Sequence, residues 1–170
     1  MTERVDFYVL KDATPKQGWI FACRLTEKAY GRDLRVAILA ESHADARLLD
    51  ELLWTFSDRG FVPHEIYRSA DSLPPAAATP PALAPAVPAP AVPAPAAPVY
   101  LTADADGGPG ADLLINLSNR VPKQPHRFGR IAEIIDADAE RKRLGRERFK
   151  SYRELQLTLE THQLDAATDI

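Results

Sequence analysis

The stretch LRVAILAESHADARLLDELLWTF, Leu34 to Phe56, decides the fold. Leu34 to Ala40 is a short apolar run, the composition of a strand buried on both faces. Ser42 follows, a residue type whose hydroxyl accepts from the free amides of a helix start. From there Leu48, Leu49, Leu52, Leu53 and Phe56 share one broad face at about 100° per residue, so Ser42 to Phe56 reads as a helix. Asp45 falls on the same face, but three residues after the cap its carboxylate can bond back to the Ser42 backbone as a capping box requires. A strand that feeds an amphipathic helix in this way is one unit of an α/β repeat.

The rhythm extends in both directions. Val5 to Leu10 reads as a strand and residues 17–30 as a helix, which makes the first half βαβα. Downstream, Val99 to Thr102, Leu113 to Leu117 and Ile131 to Ile135 read as strands, and about Ala137 to Arg153 as a closing helix. The expectation is one α/β domain over residues 1–170, with a Rossmann-like, mainly parallel sheet and helices on both faces. Residues 71–98, DSLPPAAATPPALAPAVPAPAVPAPAAP, interrupt it with ten of the fifteen prolines and eleven alanines. Proline removes donors from any ladder and alanine buries little, so this insertion reads as a disordered linker of polyproline II character. A docking segment for some groove is its other reading.

The chain has 170 residues, 45% of them hydrophobic, enough for one domain with a real core. A net charge of −3 argues against a surface that grips nucleic acid throughout, so any basic site has to be concentrated. Cys23 is the single cysteine; it leaves no intramolecular disulfide or thiolate cluster, suits a reducing compartment and reads as a core residue. The opening MTERVDFYVL carries early acids and no long apolar run followed by small residues, so no signal peptide or membrane span is visible and a cytoplasmic location is expected.

The first strand-to-helix turn, KDATPKQG at Lys11 to Gly18, holds one glycine. A dinucleotide or phosphate cradle there uses several, to bring backbone amides against the anion. Gly107, Gly108 and Gly110 precede a strand rather than a helix and read as turn residues. His43, His64, His126 and His162 are scattered without metal-ligand spacing, and no Gly-x-Ser-x-Gly elbow exists. No catalytic residue, cofactor or metal is expected.

Two surfaces stand out instead. Trp54 falls among Arg47, Asp50 and Glu51, opposite the leucines. Either the chain doubles back after Phe56, so that Trp54 packs beneath Phe61, Val62 and Pro63, or Trp54 is an aromatic anchor for another protein. The second surface is ERKRLGRERFKSYR, Glu140 to Arg153, with seven of the twenty-one Lys and Arg residues and two acids. On a helix, Lys142, Arg146, Phe149, Lys150 and Arg153 form one stripe, and Leu144, Ser151, Tyr152 and Leu155 lie on the other side. A solvated face whose basic stems cover apolar surface is one reading. The other is a ligand site: an exposed Phe149 among cations suits a peptide ending in an apolar residue, whose terminal carboxylate accepts a charge-assisted bond from Arg. Single-stranded nucleic acid would use the same cations and aromatic, and nucleotide binding by an α/β domain is a further alternative on fold analogy.

Five segments in order, ACRL at Ala22 to Leu25, LLDELLW at Leu48 to Trp54, FVPH at Phe61 to His64, DLLINL at Asp112 to Leu117, and EIID followed by RERFKSYR, resemble the chi subunits of bacterial DNA polymerase III. The resemblance spans nearly the whole chain apart from the Ala/Pro insertion. It implies a Rossmann-like domain without catalysis, an accessory subunit of the polymerase holoenzyme. Such an adaptor joins the psi subunit of the clamp loader to the acidic C-terminal tail of single-stranded DNA-binding protein, and so reaches single-stranded DNA indirectly. By resemblance Trp54 and Phe61 match the psi-contacting aromatics, while Lys142, Arg146, Phe149 and Lys150 match the tail-binding positions. The tail's terminal aromatic then enters an apolar pocket near Phe149, and Arg146 holds its α-carboxylate. The chain departs from the family where Gly145 replaces an alanine, at a helix cost of about 1 kcal/mol, and where Gln156 and Leu157 replace a Gly-aromatic pair at the expected far wall of the pocket.

Overall fold

The structure is a computed structural model that describes residues 2–58, 60–69 and 95–165. Seven strands form one sheet: β1 (Arg4–Lys11), β2 (Val36–Leu39), β3 (His64–Ile66), β4 (Val99–Thr102), β5 (Ala111–Asn116), β6 (Phe128–Ile135) and β7 (Leu159–Asp165). Their order across the sheet is β3-β4-β2-β5-β6-β1-β7, and every pairing is parallel. Helices α1 (Pro15–Tyr30), α2 (His43–Thr55) and α3 (Ala139–Glu154) carry three of the crossovers. The α/β class with a parallel sheet is therefore as the sequence predicts.

Alternation along the strands divides the core between two faces. Phe21, Ala22 and Cys23 of α1 and Ala46, Leu49 and Leu53 of α2 pack with Leu10, Val36, Ile38 and Ile134 on one face. On the other, Tyr152 of α3 packs with Val5, Phe7, Leu39, Ile131 and Ile135. Cys23 is fully buried, and that burial pushes its thiol up to about 12. Among the described residues no helix is long and apolar enough to cross a membrane.

Local signals set the helix starts. Ser42 caps α2 by accepting from the Asp45 amide at 3.1 Å, although the reciprocal bond expected from Asp45 is not made. The complete box stands at α1, where the Thr14 hydroxyl accepts from the Gln17 amide and the Gln17 side chain accepts from the Thr14 amide. The glycine cluster is a turn: Gly107, Gly108 and Gly110 all have positive φ, and a Cβ on Gly108 would stand 2.8 Å from the Tyr100 ring.

Three expectations change. Both edge strands, β3 and β7, escape the periodicity, because β3 is only three residues long and β7 (LETHQLD) is polar on both faces. Strand β6 starts at Phe128 rather than Ile131, since Arg130 interrupts the apolar run yet faces Asp6 of β1. Leu48 is 52% exposed although it shares the leucine face: the buried strip of α2 is Ala46, Leu49 and Leu53, while Leu48 opens onto a groove beside Trp19. Of the 71–98 insertion, residues 71–94 lie outside those described. Pro95 to Pro98 are fixed to the fold, with the Val36 amide donating to Pro98 and the Ala97 amide to Glu65.

Candidate functional site

Helix α3 starts at Asp138, whose carboxylate accepts from the Arg141 amide at 2.9 Å, and follows directly on β6. Its seven cations fall into two sets. Arg141 pairs with Asp136, Arg143 with Glu140 and Glu147, and Arg148 with Glu133. Lys142, Arg146, Lys150 and Arg153 have no acidic partner among the described residues, and all four line one cleft of about 610 Å³. Its floor is apolar: Phe7 and Val9 of β1, Ile135 of β6 and Phe149 of α3.

The structure thus gathers Lys142, Arg146, Phe149 and Lys150 in one place. Phe149 is half-buried rather than free, since its ring packs on Phe7 at a centroid distance of 5.2 Å. Thr161 of β7 completes the lining, and the Gln156–Leu157 turn takes no part in it. Phe7, Val9, Ile135 and Thr161 escape sequence reading because they lie on three different strands, and only the strand order brings them under α3.

Behind the cleft, α3 is pinned by a buried polar network. Glu133 accepts from Arg148 Nε at 2.9 Å, Tyr152 Oη at 2.6 Å and Asn116 Nδ2 at 2.8 Å, with all four side chains buried. Burial, and then the neighbouring Glu133 carboxylate, hold the Tyr152 phenol well above its ordinary range, so it stays a donor. This network fixes the rotation of the helix and aims the unpaired stripe over the cleft.

The second surface lies on α2 and the segment after it. The chain does double back, and the Trp54 ring sits 5.4 Å from that of Phe61 and 4.7 Å from that of His64. His64 anchors the turn, with Nδ1 2.6 Å from the Val62 carbonyl oxygen and Nε2 3.2 Å from that of Asp50. Yet Trp54 remains 54% exposed and Phe61 64% exposed. The turn therefore supports the tryptophan without covering it.

The sequence matches the family model "DNA polymerase III chi subunit, HolC" over residues 1–160. The chain belongs to this family. It is 31% identical over 161 residues to the DNA polymerase III subunit chi of Pseudomonas aeruginosa, covering 95% of this chain and 96% of that one. To the Haemophilus influenzae protein of the same name it is 28% identical over 153 residues, or 90% and 92% of the two chains. Membership places the chain in a family of replicative polymerase accessory subunits.

The two positions expected to depart from the chi pattern have structural accounts. Gly145 is buried where α3 crosses β6, and a Cβ there would stand 2.5 Å from Ile135 Cδ1, so the glycine lets the helix approach the sheet and leaves Ile135 in place on the cleft floor. Gln156 has φ 59°, with its amide donating to Arg153 and the Leu157 amide to Tyr152. That is a Schellman end, whose left-handed position favours glycine.

Among the described residues, one group of possible metal ligands assembles from positions the sequence left scattered: ligand atoms of Asp6, Glu160 and His162 lie within 4.8 Å of one another. Arg4 and Arg130 already hold the Asp6 carboxylate, and His162 Nε2 stands 2.9 Å from it. Burial pushes Asp6 up, but these hydrogen bonds and charges outweigh it and keep the carboxyl below the ordinary range. Two guanidinium groups stand against a further cation, so the cluster fits an ion-pair clasp between β1, β6 and β7.

Proposed function

We propose that this chi-family chain is a cytoplasmic adaptor without chemistry of its own. It joins the psi subunit of the clamp loader, through Trp54 and Phe61, to the acidic C-terminal tail of single-stranded DNA-binding protein, through Lys142, Arg146, Phe149 and Lys150. One observation carries the tail assignment: the four cations of α3 that lack acidic partners converge on one cleft with an apolar floor. A peptide that ends in an apolar residue after several acids needs both features. Its last side chain fills the space between Phe149 and Ile135, Arg146 takes the α-carboxylate, and the other cations face the upstream acids.

The psi assignment is supported by exposure. Two neighbouring aromatic rings, each more than half exposed, form the kind of anchor that dominates interface energies. The two surfaces share no residue, which lets one chain hold both partners together.

The test is fluorescence anisotropy of a labelled acidic peptide ending in Pro-Phe with a free carboxylate, titrated with wild type and with Arg146→Ala, and repeated without the terminal Phe. Saturable binding lost in both controls is expected; an unaffected truncated peptide contradicts an apolar end pocket. Trp54→Ala is expected to keep the peptide and lose psi. Tight single-stranded DNA binding without peptide binding favours the nucleic-acid alternative.

A further inference from the structure

Among the described residues, the cleft opens beside a sheet edge that pairs with no further strand. β7 is the last strand on that side, and Thr161, whose side chain lines the cleft, belongs to it. The Val5 amide donates to the Thr158 carbonyl at 2.8 Å, and Val5 stands opposite Leu159. In a parallel ladder this register commits the backbone groups of residues 158, 160, 162 and 164 to β1, and turns those of Leu159, Thr161 and Gln163 outward. Among the described residues these outward amides and carbonyls have no partner.

Resting on the reading of the cleft as a tail-binding site, we propose that the acidic tail binds in extended form as an eighth strand on β7, with its terminal side chain turned into the cleft. The dimensions agree. Lys142 to Arg153 spans about 16 Å of helix at a rise of about 1.5 Å per residue, the length of about five extended residues. An added strand presents every second side chain to the α3 face, where Arg146, Lys150 and Arg153 stand without acidic partners. Backbone pairing then supplies affinity that does not depend on side-chain identity, and the cations select acidic sequences. The edge at β3 has only three residues and no such stripe above it, so the two edges are not equivalent.

Two independent probes test the pairing. The first is a scan of the acidic peptide with single N-methyl groups at each residue upstream of its Pro-Phe end. Pairing predicts alternation: about a three- to tenfold loss of affinity at every second position, the scale of one hydrogen bond, and little change between. The second is Gln163→Pro, which removes no hydrogen bond of the β1–β7 ladder because that amide faces away from β1, and which is expected to weaken the peptide to a similar extent. Should the variant misfold, the scan alone decides. If all N-methylated peptides and Gln163→Pro bind like the originals while Arg146→Ala still abolishes binding, the tail occupies the cleft without pairing and this inference is overturned. If the unmodified peptide fails to bind wild type, the tail-site reading falls as well.

Discussion

Arg146 and Arg148 stand two residues apart on α3, in what sequence presents as a single basic run, and they live in opposite environments. Arg148 is buried and holds Glu133 at 2.9 Å, within a network that includes Tyr152 and Asn116. Arg146 is exposed, lacks an acidic partner and leans over an apolar cleft. Two residues are about 200° of helix rotation, enough to separate a core ion pair from a candidate recognition charge. A charge run is thus not one surface. Its members divide by what the neighbouring strands offer: β6 supplies Glu133 beneath one side, while β1 and β7 supply only apolar or uncharged groups beneath the other.

The largest effect that could break this contrast is on stability. Arg148→Ala leaves the Glu133 carboxylate buried without its cation and is expected to cost about 3–5 kcal/mol. A chemical denaturation curve that shifts by under about 1 kcal/mol would place Arg148 with the surface charges instead. Next comes Arg146→Ala, expected to change stability by less than about 0.5 kcal/mol but to weaken the acidic peptide by about 1.5–3 kcal/mol. Titration calorimetry alongside a melting curve separates the two quantities, and a loss of both would merge the two arginines into one role.

Gly145 sharpens the comparison, because it lies between the two sides. Gly145→Ala gains about 1 kcal/mol of helix propensity but drives a methyl toward Ile135 Cδ1, whose free space is the cleft. Stability within about 1 kcal/mol of wild type, with a selective loss for peptides ending in Phe over those ending in Ala, is the expected pattern. Equal affinity for the two would show that Ile135 moves elsewhere. The smallest effect belongs to the helix end. Gln156→Gly relieves a left-handed φ and is expected to raise stability by up to about 1 kcal/mol, with peptide affinity unchanged because Gln156 does not line the cleft. A change in peptide affinity would return that turn to the binding site.

Much of this was legible from local chemistry. The run from Val36 to Leu39, the Ser42 cap and the spacing of Leu49 and Leu53 predict a strand and a helix, because burial on both faces and amphipathic spacing are written in neighbouring residues. The stripe of Lys142, Arg146, Phe149 and Lys150 follows from helix period alone. The edge strands β3 and β7 gain their conformation from pairing with β4 and β1, and their own sequences carry little apolar alternation.

By itself the sequence determined an α/β chain, a concentrated basic helix and an aromatic out of place at Trp54, since each depends on contacts within a few residues. Only the tertiary structure decided which cations stay unpaired, that Phe7, Val9 and Ile135 floor the cleft, and that β7 leaves an open edge beside it. These depend on the strand order β5-β6-β1-β7, which joins residues more than a hundred positions apart. No local pattern encodes that order; it is set by how the whole chain buries its apolar surface on both faces of one sheet.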